Sequence, residues 1–281
     1  MSVRSVKKLD EGARNRFSSS RLVQLLQQWQ FLEPPAQWPG LGEQLGRWMG
    51  WTDAVSLSAV LSGEPAAAPG VGLGAAPPTR PLADARAALT PAQAREGLGR
   101  VRDSLLMDIA TDPLFAAVVG GKSSASAQAA SAPDFAACRR QHQAHQRAME
   151  RQLTPWREAV RHLLARHAPS SSHPLAPLAA LAALDAVMAR ALGERESHLL
   201  SRLPRALERH FARLCGSPED QIPSGSAPGS GLAQFITDLQ ALLRAELEFR
   251  LEPIEGMLEA LNLPGLEVRP GLDHAPAELP S

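Results

Sequence analysis

The 281-residue chain contains no tyrosine, and aromatic residues make up only 4% of it. Strands favour aromatic and β-branched residues, so this scarcity argues against an all-β fold and leaves helix as the default. Cysteine is almost as rare, with Cys138 and Cys215 the only two. They are too few and too far apart for a disulfide framework, which points to a reducing compartment. Net charge is missing as well: Lys plus Arg and Asp plus Glu number 29 each. No whole-protein field therefore recruits nucleic acid or an acidic surface, and an electrostatic partner must be met by a local patch. Lysine is confined to Lys7, Lys8 and Lys122. The heavy use of Arg, Ala, Gly and Pro looks like GC-rich coding bias, so arginine enrichment alone is discounted as a binding signal. Long hydrophobic runs are absent too. The most apolar stretch, Leu175 to Leu192, carries Asp185 and Arg190 and falls short of the roughly 20 residues a membrane helix needs. The N-terminus MSVRSVKKLDEGARNRF has positive charge without an apolar segment behind it, so no secretory signal is read there and a cytoplasmic location is expected.

What the chain does have is 44% apolar residues, enough for a core. Three stretches rich in small residues, Pro and Gly interrupt the helical patterns, at 64–81, 120–133 and 216–231. They cannot bury enough surface to offset chain entropy and read as linkers. The expected organisation is all-α: a Trp-rich N-terminal helical domain over 1–63, a linker over 64–81, a helix within 82–119 packing on the rest, and a linker over 120–133. A long helical hairpin with a third helix, forming a three-helix bundle, follows over 134–261, and a disordered tail over 262–281.

In the first segment Ser20 is placed to cap a helix bearing Leu22, Val23, Leu25, Leu26 and Trp29, ended by Pro34 and Pro35. A second helix carries Leu41, Leu45, Trp48 and Met49 and stops at Gly50. Thr52 or Asp53 then caps a third helix that ends at Gly63, and Trp48 and Trp51 are expected to brace the corner between the two. In the next segment Thr90, Pro91 and Gln93 form a helix-start signature for a helix continued by Leu98, Val101, Leu105 and Ile109. Gly97 and Gly99 weaken its interior by about 1 kcal/mol each relative to alanine.

The hairpin is the most informative region. Phe135, His142, Met149, Trp156 and Leu163 recur every seven residues, which keeps one seam facing a partner helix as in a coiled coil. A second arm, Leu175 to Leu214, offers a facing leucine stripe, and the short connection makes the arms antiparallel neighbours. Pro155 and Pro204 are positioned to bend or interrupt them. Residues 134–167 carry seven arginines and three acids, whereas 232–261 carry six acids and two arginines. Laying the third helix on the basic arm would neutralise both, and the charge is read as setting register.

Chemistry-bearing constellations are few. Cys138, His142 and His145 share one helical face at zinc-ligand residue types, but the same positions lie on the apolar seam, so no metal and no cofactor is expected. Loop serines lack a nucleophile-elbow context, and GVGLGAAP at 70–77 neither follows a strand nor ends in Gly-Lys-Ser/Thr. No catalytic residue is assigned and no enzyme is expected. Nucleic acid could be met only by the basic N-terminus (Arg4, Lys7, Lys8, Arg14, Arg16, Arg21) or the Arg-rich arm over 139–166. A helix-turn-helix over 41–62 fails because DAVSLSAVLS lacks side chains that reach base edges. Arg139, Arg140, Arg147, Arg151, Arg157 and Arg161 are the partner-binding candidates.

At GRWMGWTDAVSLSAVL, CRRQHQAHQRAMERQLTPWREAV and ALDAVMARALGERESHLLSRLPRALERHFARL the chain resembles a proteobacterial family defined by a domain of unknown function, number 3348. The resemblance brings no catalytic residues. It implies a cytosolic accessory of an envelope complex, because members are often encoded beside membrane proteins with long coiled coils and an OmpA-like, peptidoglycan-binding protein. The leading expectation is a helical interaction or assembly protein that binds a protein partner, or itself, through the hairpin, with membrane-anchored envelope proteins as candidate partners. It is not expected to be an integral membrane protein. The alternative is a nucleic-acid-associated helical protein using the basic arm.

Overall fold

The computed structural model describes residues 20–31, 41–62, 89–119, 134–166, 177–216 and 230–262. The stretches expected as linkers and tail, the basic N-terminus up to Arg16, and Pro34, Pro35 and Gly63 lie outside these residues, except for Gly216, Ser230, Gly231 and Asn262. Among the described residues there are nine helices and no strand: α1 (Arg21–Gln28), α2 (Leu41–Trp48), α3 (Trp51–Ser62), α4 (Pro91–Ala110), α5 (Pro113–Val119), α6 (Phe135–Arg166), α7 (Pro177–Leu200), α8 (Leu203–Cys215) and α9 (Ser230–Ala260).

The seam of α6 behaves as its spacing demands, with His142, Met149, Trp156 and Leu163 all buried and Phe135 half-buried. Opposite it, α9 buries Phe235, Ile236, Leu239, Leu242, Leu243, Leu247 and Leu251. The two helices run parallel, as Gln146 meets Glu246 while Leu153 and Arg157 share a cleft with Phe249 and Ile254. α7 returns antiparallel to α6 and leads into α8, which lies on α9. Pro204 interrupts this arm: α7 ends at Leu200, and α8 restarts with Pro204 in its first turn, where a missing N–H costs nothing. Pro155 and Pro253, by contrast, sit inside continuous helices.

On the other flank α4 lies antiparallel to α9, with Arg95 donating to the Leu258 carbonyl at 2.7 Å and Gln240 donating to that of Ile109 at 3.3 Å. Its start is the expected capping box: the Gln93 N–H donates to the Thr90 hydroxyl while the Thr90 N–H donates to the Gln93 side chain. Gly97 is not a mere weak point. It is buried, and a Cβ there would sit 2.8 Å from Cζ2 of Trp156 and closer still to Cη2. The glycine admits the indole of α6 and brings the two helices together. Gly99, two residues on, has nothing within 4 Å of a Cβ.

Among the described residues the N-terminal helices do not enclose a core of their own. α1 packs on α9, and Leu22, Leu25, Leu26 and Trp29 join the same core as the C-terminal half. A short apolar helix cannot bury its stripe alone and takes the nearest large surface. Ser20 precedes α1 but makes no side-chain cap bond. The helix closes before Pro34 through Gln30 at φ 62°, with the Phe31 N–H donating to the Leu26 carbonyl and the Gln30 N–H to that of Gln27, a Schellman turn. α3 lies along α7, burying Val60.

The expected tryptophan brace is corrected. Trp48 is 40% exposed beneath the Arg195 guanidinium, and Trp51 is 85% exposed. α3 already begins at Trp51, so Thr52 and Asp53 fall inside its first turn instead of capping it. Asp53 meets Arg190 of α7 at 3.2 Å, and that contact, with Val60, anchors the helix from the face opposite Trp51.

Candidate functional site

Polar groups buried within the bundle are the obvious place for chemistry. One helical face of α6 delivers Cys138, His142 and His145 to the interior, each with a different fate. Asp112 caps α5, accepting from the Leu114 N–H at 2.9 Å, and its other carboxylate oxygen faces His145 Nε2 at 2.8 Å and accepts from Gln141 Nε2. Phe115 stacks on the same imidazole at 5.8 Å. His142, one turn earlier, is fully buried with Nε2 3.7 Å from Glu246 Oε2, an ion-pair separation rather than a hydrogen bond. Glu246 is fully buried too, and accepts from Gln146 at 3.0 and 3.1 Å and from Arg250 at 2.8 Å. Burial pushes its carboxyl up, but His142 and the Arg250 guanidinium outweigh that and hold it below the ordinary carboxylate range.

Cys138 is buried, and burial, aided by Asp134 and Cys215, pushes its thiol up to about 11. A thiol so disposed is a weak nucleophile near neutral pH. Among the described residues no three His, Cys, Asp or Glu side chains come together to hold a metal. Cys138, His142 and His145 share a face, yet His142 turns to Glu246 of α9 and His145 to Asp112 at the start of α5.

Two further polar contacts tie elements together. His210 of α8 meets Asp238 of α9 at 2.7 Å, and Arg213 donates to its Nδ1 at 2.9 Å. Trp29 of α1 stacks on that imidazole at 4.6 Å and 18°, so the N-terminal helix is docked through a histidine that no local sequence signal marked. Asp185 accepts from Arg157 at 2.6 and 3.0 Å and from Arg161 at 2.6 Å. Burial pushes its carboxyl up, but these two guanidinium groups prevail and lower it.

That pairing corrects the expected charge register. Arg157 and Arg161 are taken up by α7 rather than α9, and α9 meets α6 through His142 and Gln146. Arg157 borders the cleft that α9 also lines, but its guanidinium, like that of Arg161, pairs with Asp185. Arg139, Arg140, Arg147 and Arg151 are exposed and have no ion-pair partner among the described residues. Of the six partner-binding candidates, these four remain at the surface.

Among the described residues, two clefts stand out between helices. One, of about 220 Å³, lies between α6, α7 and α9 over Leu153, Met188, Leu192, Phe249 and Ile254, with Glu150, Glu196 and Glu252 at its rim. The other, about 930 Å³, separates the α2–α3 corner from α7 and is lined by Trp48, Gly50, Thr52, Asp53 and Arg190 among others. Neither reaches His142, His145 or Glu246. No helix among the described residues is long and apolar enough to cross a membrane.

No curated protein and no solved structure matches the chain. One family model does, covering residues 9–263, which is most of the length and includes every described helix. By that match the chain belongs to the family described as a protein of unknown function, DUF3348.

Proposed function

We propose that the chain is a cytoplasmic helical interaction and assembly protein, an accessory of an envelope-associated complex, and not an enzyme. The observation that carries this reading is the outward face of α3. Trp51 is 85% exposed, Leu61 70% and Val55 51%, and exposed apolar surface concentrated on one short element marks a protein contact. Tryptophan in particular anchors such contacts, because it buries a large area with few rotatable bonds. The helix is also presented firmly, through Val60 and the Asp53–Arg190 pair on its inner side, and Asp53 is its only charged residue. The buried polar groups favour the same reading, since His145 and His210 each meet a carboxylate at hydrogen-bond distance and His142 faces Glu246, and none of the three lines either cleft. The envelope setting rests on the company that members of the family keep.

The test is affinity capture of the tagged chain at native expression, beside a Trp51→Asp/Leu61→Asp variant whose helix content matches wild type. Specific proteins retained by wild type through nuclease treatment and lost by the variant support the reading. An identical set from both, or only nuclease-sensitive nucleoid and ribosomal proteins, refutes it.

A further inference from the structure

We propose that two copies of this chain associate through complementary charged stripes, with Arg140, Arg147 and Arg151 on α6 of one copy against Glu259, Glu252 and Glu248 on α9 of the other. At about 100° per residue the three arginines fall within about 40° of one another, on the side of α6 opposite its buried seam. All three are exposed and unpaired among the described residues. Glu248, Glu252 and Glu259 likewise lie within about 40° on the outer side of α9, exposed and without an ion-pair partner among the described residues.

The spacing is what makes the second copy the fitting occupant. Arg140, Arg147 and Arg151 are separated by seven and then four residues, and so are Glu259, Glu252 and Glu248 read in reverse. Each stripe spans about 16 Å. Two helices laid antiparallel therefore bring all three pairs into register, while Glu255 stays with Arg102 of its own copy at 3.4 Å. Within one molecule this contact is impossible, because α6 and α9 run parallel and meet through their buried faces. The acidic stripe is also under strain of its own making. Burial, with the neighbouring charges of Glu255 and Glu248, pushes the Glu252 carboxyl up, a repulsion that three guanidinium groups would relieve. The contact uses none of the α3 surface, so it stands or falls apart from the reading above.

Sedimentation velocity of the full chain tests it, at about 0.05 M and about 0.5 M NaCl, where screening differs several-fold in range, and at protein concentrations up to about 200 µM. The expected result is a mass above the 30.0 kDa monomer at low salt that returns to monomer at high salt. Arg147→Glu/Arg151→Glu and Glu248→Arg/Glu252→Arg variants should each be monomeric at low salt with unchanged helix content, and an equimolar mixture of the two should associate again, because the swapped charges restore complementarity. Wild-type chain that stays monomeric at low salt overturns the proposal, as do variants that associate like wild type or a mixture that does not recover. An oligonucleotide bound by monomeric wild type and released by Arg147→Glu/Arg151→Glu overturns it in favour of nucleic acid.

Discussion

Replacing Gly97 with alanine sets two opposing effects against each other at one position. Helix propensity favours the change by about 1 kcal/mol. Against it, the added Cβ would lie 2.8 Å and 3.1 Å from Cζ2 and Cζ3 of Trp156, where carbon atoms prefer about 3.5–4.0 Å. Trp156 is only 8% exposed, so the indole cannot swing into solvent, and the rigid ring has no flexible end to yield. Overpacking of this kind costs about 1–3 kcal/mol, and the depth of overlap puts Gly97→Ala near the upper end. The net loss is then about 1–2 kcal/mol, a fall in Tm of roughly 2–8 °C for a domain of this size. Gly99→Ala is the internal control: with nothing within 4 Å of its Cβ it should raise Tm by roughly 2–4 °C. Thermal unfolding followed by far-ultraviolet circular dichroism reads both. In a Trp156→Leu background the penalty of Gly97→Ala should vanish, which a double-mutant cycle measures directly. A Gly97→Ala protein as stable as wild type would refute the packing role given to this glycine.

Asp185→Asn keeps the size of the side chain but removes the charge that two guanidinium groups share, and should cost about 2–3 kcal/mol in urea unfolding; a loss below about 0.5 kcal/mol would mean the cluster is ornamental. Asp185 and Glu246 both titrate below the ordinary carboxylate range in the folded state, so their stabilisation is complete above the unfolded value of about 4 and is lost as pH falls through the folded ones. The urea midpoint is therefore expected to hold from pH 7 to about pH 5 and to drop below about pH 4. That drop should be shallower in Asp185→Asn, and equal slopes in the two proteins would count against the assignment.

Much of the fold is legible in the sequence because it is locally dictated. The seven-residue recurrence from Phe135 to Leu163 places the buried face of α6 correctly, and Thr90 with Gln93 marks the start of α4 to the residue. What escapes is whatever depends on a distant partner. Asp185 reads as a lone charge in an apolar run until Arg157 and Arg161 arrive from another helix. Trp51 reads as core filling because tryptophan usually is, yet its direction is set by α3 lying on α7 through the opposite face. Total charge foretells that basic and acidic helices lie near each other, but a helix spends its inner face on apolar packing, leaving the arginines facing outward.

α9 touches α1, α4, α5, α6, α7 and α8, and it is the last in chain order of the nine helices among the described residues. About 150 residues separate the end of α4 from the end of α9, which at about 5–20 residues per second is roughly 8–30 s of synthesis. For that interval α4 is made without α9, the helix that its inner face is built to pack against. Truncation within α9 should accordingly behave as an all-or-none loss, since no earlier subset of helices holds the surface around which the rest are arranged.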